Sequence, residues 1–319
     1  MYYLGIDIGG TNIAVGVVNE EMKIIAKGNT KTPVPGPEDV FCDAIRDTVN
    51  IALENAGLKL SDIKAIGLGC PGTVNPESGL IEFSNNLGYS NFPLKKMLEE
   101  RIPDIDIFMD NDANAAAFGE YKAGALKGAK DSLAITLGTG VGGGIIIDGK
   151  IYSGFNYAGG ELGHTVIEAK GRSCNCGRRG CWETYASASG LIRTTKEYME
   201  KDKSSKMWEL VGGDISKVSG RTAFDGMRAG DATAKAVVDE YIEYLGVGIA
   251  DMVNIFQPEI LCIGGGICNE GETLLKPLRE YVAGQQYSMN APRKTTICRA
   301  ELGNDAGIIG AALLGEQAK

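Results

Sequence analysis

The sequence predicts a duplicated two-lobe α/β fold, with a cleft between the lobes and a metal-binding loop in the second. Three observations carry this expectation. A β-hairpin pattern with a glycine-rich tip occurs at residues 2–18 and recurs at 132–147. Alternating helix and strand patterns follow each hairpin, as in α/β lobes, and their echo suggests an internal repeat. Between His164 and Cys181 the chain gathers one histidine and three cysteines at metal-ligand spacing. The expected division is a small N-terminal lobe at 1–114 and a large C-terminal lobe at 115–302 carrying the metal loop. A last helix within 303–319 is expected to pack back on the first lobe.

Tyr2 to Asp7 alternates and is rich in β-formers, so it reads as a strand; Gly9-Gly10-Thr11-Asn12 turns it and Ile13 to Val18 returns. A third strand is expected near Lys23 to Lys27, and Thr32 to Pro37 reads as a proline-marked linker. Glu38 to Ala56 has helical periodicity and stops at Gly57. Ile63 to Gly69 is a strand closed by Cys70-Pro71-Gly72. Ile105 to Met109 is another, running through Asp110-Asn111-Asp112 into a helix at Ala113 to Ala123. The second hairpin is Ser132 to Leu137, a turn at Gly138 to Gly144, and Ile145 to Ile147. Further on, Lys235 to Phe256 reads as a long helix, Glu259 to Ile263 and Thr295 to Cys298 as strands, and Ala306 to Leu314 as an apolar closing helix.

The bulk composition is that of an ordinary globular protein: 319 residues, 44% hydrophobic and 23% charged. The net charge of −9 argues against nucleic acid and anionic membrane as partners, because both demand basic surface. Apolar runs fall short of membrane-spanning length, and the strand pattern begins at Tyr2 with no basic leader, so a cytoplasmic location is expected. Cys42, Cys70, Cys262, Cys268 and Cys298 lie in apolar surroundings and read as small buried hydrophobes rather than a disulfide framework.

The chain's one histidine, His164, precedes Cys174-Asn-Cys176-Gly-Arg-Arg-Gly-Cys181. Three thiolates and one imidazole form a closed tetrahedral donor set, the kind that holds a structural Zn2+. Glu161 and Glu183 flank it, so a metal knot would pin two carboxylates beside each other and favour a ligand rich in hydroxyls. With Glu161 and His164 three apart, a helical turn would put them on one face. Zinc on one ring nitrogen would leave the other to donate to a hydroxyl. Arg172, Arg178 and Arg179 read as a small, solvated basic spot.

Three glycine-rich runs stand out: Asp7-Ile8-Gly9-Gly10-Thr11-Asn12, Gly138-Thr139-Gly140-Val141-Gly142-Gly143-Gly144 and Gly264-Gly265-Gly266. Glycine lets backbone N–H groups approach an anion, and Thr or Asn adds side-chain donors. The second run can be spelled GxGxxG, but a strand follows it where a dinucleotide site needs a helix. Either these are plain hairpin turns, or two of them hold phosphates while Asp7 orients Mg2+ through water and the third lies against a nucleoside. Asp112, after an apolar strand and at a helix start, is by spacing a helix N-cap or a general base.

These motifs, with Asn111-Asp112-Ala113-Asn114, Gly160-Glu161-Leu162-Gly163-His164 and Cys181-Trp182-Glu183, resemble the ROK family of bacterial sugar kinases. That family lies within the actin-like, hexokinase-type (ribonuclease H-like) ATPase superfamily. The resemblance runs from Tyr2 to about Leu314. It implies an ATP-dependent hexose kinase, closest to the glucokinase branch, with Asp112 as catalytic base. Gly72, Asn86, Asn111, Glu161, His164 and Glu183 are the implied sugar contacts. Asp7, Gly9, Gly10, Thr11, Asn12, Gly138, Thr139, Gly140, Gly264, Gly265 and Gly266 are implied to hold ATP and Mg2+, and His164, Cys174, Cys176 and Cys181 a structural Zn2+. Tyr89 stands where the glucokinase branch often has tryptophan, which leaves fructokinase and N-acetylmannosamine or N-acetylglucosamine kinase open. A sugar-responsive regulator of the same family would carry a DNA-binding extension, for which there is no room before Tyr2. A homodimer is the family expectation.

Overall fold

A computed structural model describes residues 1–317. The chain begins with the strands β1 (Tyr2–Ile8), β2 (Asn12–Asn19) and β3 (Ile24–Lys31), then the helix α1 (Glu38–Ala56) and β4 (Ile63–Cys70). Next come β5 (Thr73–Asn75), β6 (Leu80–Ser84), β7 (Tyr89–Phe92), α2 (Leu94–Glu99), β8 (Asp106–Asn111) and α3 (Asp112–Ala123). The second half opens with β9 (Ser132–Leu137), β10 (Val141–Ile147) and β11 (Lys150–Ile151). The helices α4 (Glu183–Ala186), α5 (Ala188–Lys201), α6 (Met207–Leu210), α7 (Thr222–Arg228) and α8 (Ala232–Phe256) follow. Finally β12 (Ile260–Gly264), α9 (Glu272–Gln285), β13 (Thr296–Arg299) and α10 (Ala306–Ala312) close the chain.

Two five-stranded sheets have the same plan, β3-β2-β1-β4-β8 and β11-β10-β9-β12-β13. In the first, β1 pairs antiparallel with β2 and parallel with β4, and β4 pairs parallel with β8. This repetition is the duplication that the two hairpins announce. A separate sheet, β5-β6-β7, was not expected from the sequence, nor were α2, α4 to α7 and α9. The third strand runs to Lys31, longer than the expected Lys23 to Lys27.

Contacts divide the chain into two units. The first comprises Met1–Ala134, Gly144–Gly160 and the segment from Ala300; the second comprises Ile135–Gly143 and Glu161–Arg299. The expected boundary at 114/115 falls within α3, which lies whole in the first unit, and 318–319 of the expected last helix lie outside the described residues.

In the first unit, α1 lays Phe41, Ile45, Val49 and Ala52 onto the sheet core of Leu4, Ile6, Val15, Val17 and Ile66. Removing such fully buried side chains from water stabilises by about 2 kcal/mol each. On the sheet's other face, α10 approaches so closely that a Cβ at Gly5 or Gly67 would strike the backbone oxygens of Ile308 and Ala311. Gly119 and Gly310 serve the α3–α10 crossing in the same way. Near the end of α3, the buried Glu120 accepts N–H groups from Ala125 (2.8 Å), Glu301 (3.1 Å) and Leu302 (2.8 Å), tying the last segment to this helix. No helix among the described residues is long and apolar enough to cross a membrane.

Candidate functional site

The first unit gathers one group of the expected residues. Strand register aligns Asp7 with Gly69 and Gly69 with Asp110 across β1, β4 and β8. Gly69 has no side chain, and the space above it takes the start of α3: a Cβ there would lie 3.4 Å from the Asp112 Cα and 3.1 Å from the Ala115 methyl. This seating puts the Asp112 carboxylate near that of Asp7. Burial first, and then the Asp112 charge, push the Asp7 carboxyl up to about 6. Gly307, at the start of α10, faces the Asp7 carboxylate where a Cβ would lie 3.0 Å away; the sequence carries no local signal for that contact.

Asn111 is the cap of α3. Its Oδ1 accepts from Ala113 N (2.8 Å) and Asn114 N (3.2 Å), and its Nδ2 donates to the Gly72 carbonyl at 3.0 Å. The capping role that spacing left open to Asp112 therefore belongs to its neighbour, and Asp112 is the first helical residue, where the helix N-terminus favours negative charge. Asp110, which sequence reasoning passed over, accepts from Asn111 N (2.7 Å) and Asn114 Nδ2 (2.8 Å). Burial raises its carboxyl while those two hydrogen bonds pull it down.

The first glycine run forms the β1–β2 turn, closed by Gly9 N to Asn12 O at 2.9 Å. Thr32 holds it from the side, through its hydroxyl to Gly9 O at 2.7 Å and its N–H to Thr11 O at 2.9 Å. Gly10, Thr11 and Asn12 are exposed, and Asn86 lies beside Gly10, its carbonyl 3.5 Å from where a Cβ would be. Tyr89 is buried. Its ring packs on Phe41 and Phe92 and its hydroxyl donates to Gly36 O at 2.9 Å, so this position supports the loop from below.

The second unit gathers the rest. His164, Cys174, Cys176 and Cys181 bring their ligand atoms within 4.8 Å of one another. His164 Nδ1 lies 3.7 Å from Cys174 Sγ, and Cys176 Sγ lies 3.6 Å from Cys181 Sγ. Tetrahedral zinc with standard bond lengths would set such edges at about 3.6–3.8 Å, so the donor set fits that ion in chemistry and spacing. Nδ1 faces the thiols, which leaves Nε2 toward Glu161, 4.0 Å from its Oε2, across a single 3-10 turn at Leu162–His164.

The loop is shaped by its own backbone: Cys174 N bonds Arg178 O at 2.9 Å and Gly180 N bonds Arg172 O at 2.7 Å. Gly180 is left-handed, and a Cβ there would strike the Glu168 carbonyl. The Arg178 N–H, foremost, lowers the Cys176 thiol to about 6, whereas burial raises those of Cys174 and Cys181. Trp182 is fully buried and anchors the loop on α8, its indole N–H donating to Tyr244 O at 2.9 Å.

Of the three arginines, Arg178 and Arg179 are exposed, as a solvated spot requires, whereas Arg172 is half-buried. Arg172 pairs with Glu197 at 2.9 Å and stacks on Tyr185; Arg178 donates to the His164 carbonyl, and Arg179 to Ser173 Oγ at 3.1 Å. Each still gives at least one donor to a protein group.

Gly138 and Thr139 stand exposed in the β9–β10 turn, closed by Gly138 N to Gly140 O at 3.0 Å. Glu183, the first residue of α4, reaches this turn and accepts the Val141 N–H on Oε2 at 3.0 Å. Gly265, with φ 102°, fits where a side chain would strike the Leu137 backbone, so the Gly264–Gly266 run lies against the start of the same turn. Beside Gly266 is an open cavity of about 440 Å³ lined by Arg221, Asp225, Arg228, Asn269 and Glu270.

The site residues thus fall into two constellations: Asp7, Gly9, Gly10, Gly72, Asn86, Asn111 and Asp112 in the first unit; the Gly138 and Gly264 runs, Glu161, Glu183 and the Cys3His set in the second. A repeated sheet with glycine hairpins, a paired-aspartate strand end and a Cys3His loop defines a two-lobe, hexokinase-type kinase fold. The chain belongs to the ROK family, whose model matches residues 3–318. It is 40% identical to a glucokinase of Halalkalibacterium halodurans over 318 residues, covering 99% of this chain and 95% of the relative. A glucokinase of Thermotoga maritima is 39% identical over 315 residues, covering 97% and 95% of the two chains. The crystal structure of a ROK family glucokinase from Streptomyces griseus, in complex with glucose and AMPPNP, superposes with a TM-score of 0.82 at 34% identity, covering 99% of this chain and 100% of that one.

Proposed function

We propose that this protein is an ATP-dependent hexokinase that phosphorylates glucose to glucose 6-phosphate, with Asp112 as general base. The observation that carries the reading is the first-unit geometry: Asn111 caps α3, and Asp112 sits beside Asp7 at the helix N-terminus. The glucokinase relatives spanning nearly the whole chain support the substrate.

Phosphoryl transfer asks for positioning and charge stabilisation more than for covalent chemistry. Asp112 takes the proton from the 6-hydroxyl as that oxygen attacks the γ-phosphorus and the bond from phosphorus to the β,γ-bridging oxygen breaks, releasing ADP. Asn111, Asn86 and the Gly72 turn of the first unit, and Glu161, His164 Nε2 and Glu183 of the second, are the groups each unit offers to sugar hydroxyls. The N–H groups of the Gly9–Asn12 and Gly138–Gly140 turns receive phosphate oxygens. The cavity beside Gly266 takes the nucleoside end, where Arg221 and Asn269 offer donors. Asp7 would orient the Mg2+ that accompanies ATP, and that ion would offset phosphate charge. His164 and the three cysteines would hold Zn2+, which would supply rigidity rather than reactivity. Abundant thiols holding a metal suit a reducing cytoplasm, and the chain forms a homodimer, which light scattering tests.

A coupled assay of ADP release across glucose, fructose, mannose, N-acetylmannosamine and N-acetylglucosamine tests the substrate. Glucose should give the highest kcat/KM; a preference of tenfold or more for another sugar would reassign it. Asp112→Asn should keep glucose binding and lose about 10²- to 10⁴-fold in kcat. A variant with near-normal kcat would exclude Asp112 as base.

A further inference from the structure

A glycine in a phosphate-binding turn is ordinarily read as making room for the phosphate. Gly140 has another neighbour. A Cβ built there would fall on the Glu183 carboxylate, within van der Waals contact of Oε2 and 3.1 Å from Cδ; its three nearest atoms all belong to that side chain. The Gly140 backbone is not left-handed, so the conformation itself would accept a side chain. At Gly138, in the same turn, a Cβ would meet nothing within 4 Å.

The carboxylate occupies this notch because Val141 holds it there. Oε2 accepts the Val141 N–H at 3.0 Å, while Oε1 makes no hydrogen bond among the described residues. One oxygen is fixed, so the direction of the other is fixed too. The turn is also braced by Ala188 N to Gly138 O at 2.9 Å, and Gly163, beside His164, packs against the Val141 backbone. Phosphate turn, Glu183 and the metal loop form one packed assembly in the second unit.

We infer that Gly140 is a positioning residue for hexose binding, acting by leaving room for the Glu183 carboxylate against the Val141 N–H. This rests on the reading of Glu183 as a sugar ligand. A methyl at position 140 displaces the far end of a flexible side chain, so the protein still folds, but the aim of Oε1 is lost. A residue of the phosphate turn then governs sugar affinity with no nucleotide present. A glycine serving phosphate alone would not act in this way.

The test is calorimetric titration of the full-length, zinc-replete protein with glucose and no nucleotide. Wild type and Gly284→Ala, a change at an exposed glycine of α9 where a Cβ would meet nothing within 4 Å, should bind alike. Gly140→Ala should bind at least about tenfold more weakly, the worth of a hydrogen bond to a charged group, with a melting temperature near wild type. In a Glu183→Ala background, adding Gly140→Ala should change nothing further, because the displaced carboxylate is already gone. Unchanged affinity in Gly140→Ala overturns the inference. So does an equal loss in the Glu183→Ala background, or a Gly140→Ala chain that fails to fold, since either would mean that the backbone needs the glycine. A wild-type chain that binds no hexose would instead remove the proposed function, and this inference with it.

Discussion

Asp7 should cost the protein stability in return for its role. Its carboxyl rises from an ordinary 3.8 to about 6, first because it is buried between sheet and α10, then because Asp112 is close. Between those two values the native protein binds more protons than the unfolded chain, so stability falls as pH rises through that window. At about 1.4 kcal/mol per pKa unit, the full loss above pH 6 is about 3 kcal/mol. Asp7→Asn keeps the size and removes the charge. In urea unfolding followed by tryptophan fluorescence, without Mg2+ or nucleotide, variant and wild type should be nearly equal at pH 4. By pH 8 the variant should lead by about 3 kcal/mol while its kinase activity is lost. Asp112→Asn should narrow the window without closing it, because burial, the larger cause, remains. A stability difference that stays flat between pH 4 and pH 8 would refute the placement of a buried carboxylate beside Asp112.

Two further outcomes test the scaffold. Cys176→Ala leaves three of the four donors within 4.8 Å, and zinc measured by mass spectrometry should fall from stoichiometric to near zero, with glucose binding lost alongside; retained affinity in the metal-free variant would separate the loop from the sugar site. Glu120→Ala strands three N–H groups that the carboxylate now receives, and should cost at least about 3 kcal/mol in urea unfolding; a loss under about 1 kcal/mol would mean that water replaces the tie.

Where local pattern and final structure agree, the signal was long or strongly punctuated. α1 has the expected bounds because seven buried positions recur at helical spacing and Gly57 ends the helix in the left-handed region. The β5-β6-β7 sheet stayed hidden because its strands have three to five residues and sit among Asn75, Gly79, Asn85, Asn86 and Gly88, which read as loop. α9 was masked by Pro277 in its interior. α5 had a readable start, with Ser187 accepting Gly190 N at 3.0 Å, but a mixed polar face obscured its extent.

The sequence by itself determined the parts whose chemistry is local: the metal set compressed between His164 and Cys181, and the glycine turns. Their partners are a few residues away, so spacing suffices. Only the tertiary structure decided which distant groups meet. Asp7 reaches Asp112 because Gly69 leaves a gap between two strands for a helix to sit in. Glu183 reaches Val141 because Trp182 pins the loop to α8, and Gly307 meets Asp7 because Gly5 and Gly67 let the last helix lie against two strands of the first sheet. Such approaches depend on packing summed over the whole unit, and that energy leaves no periodic trace in the residues it brings together.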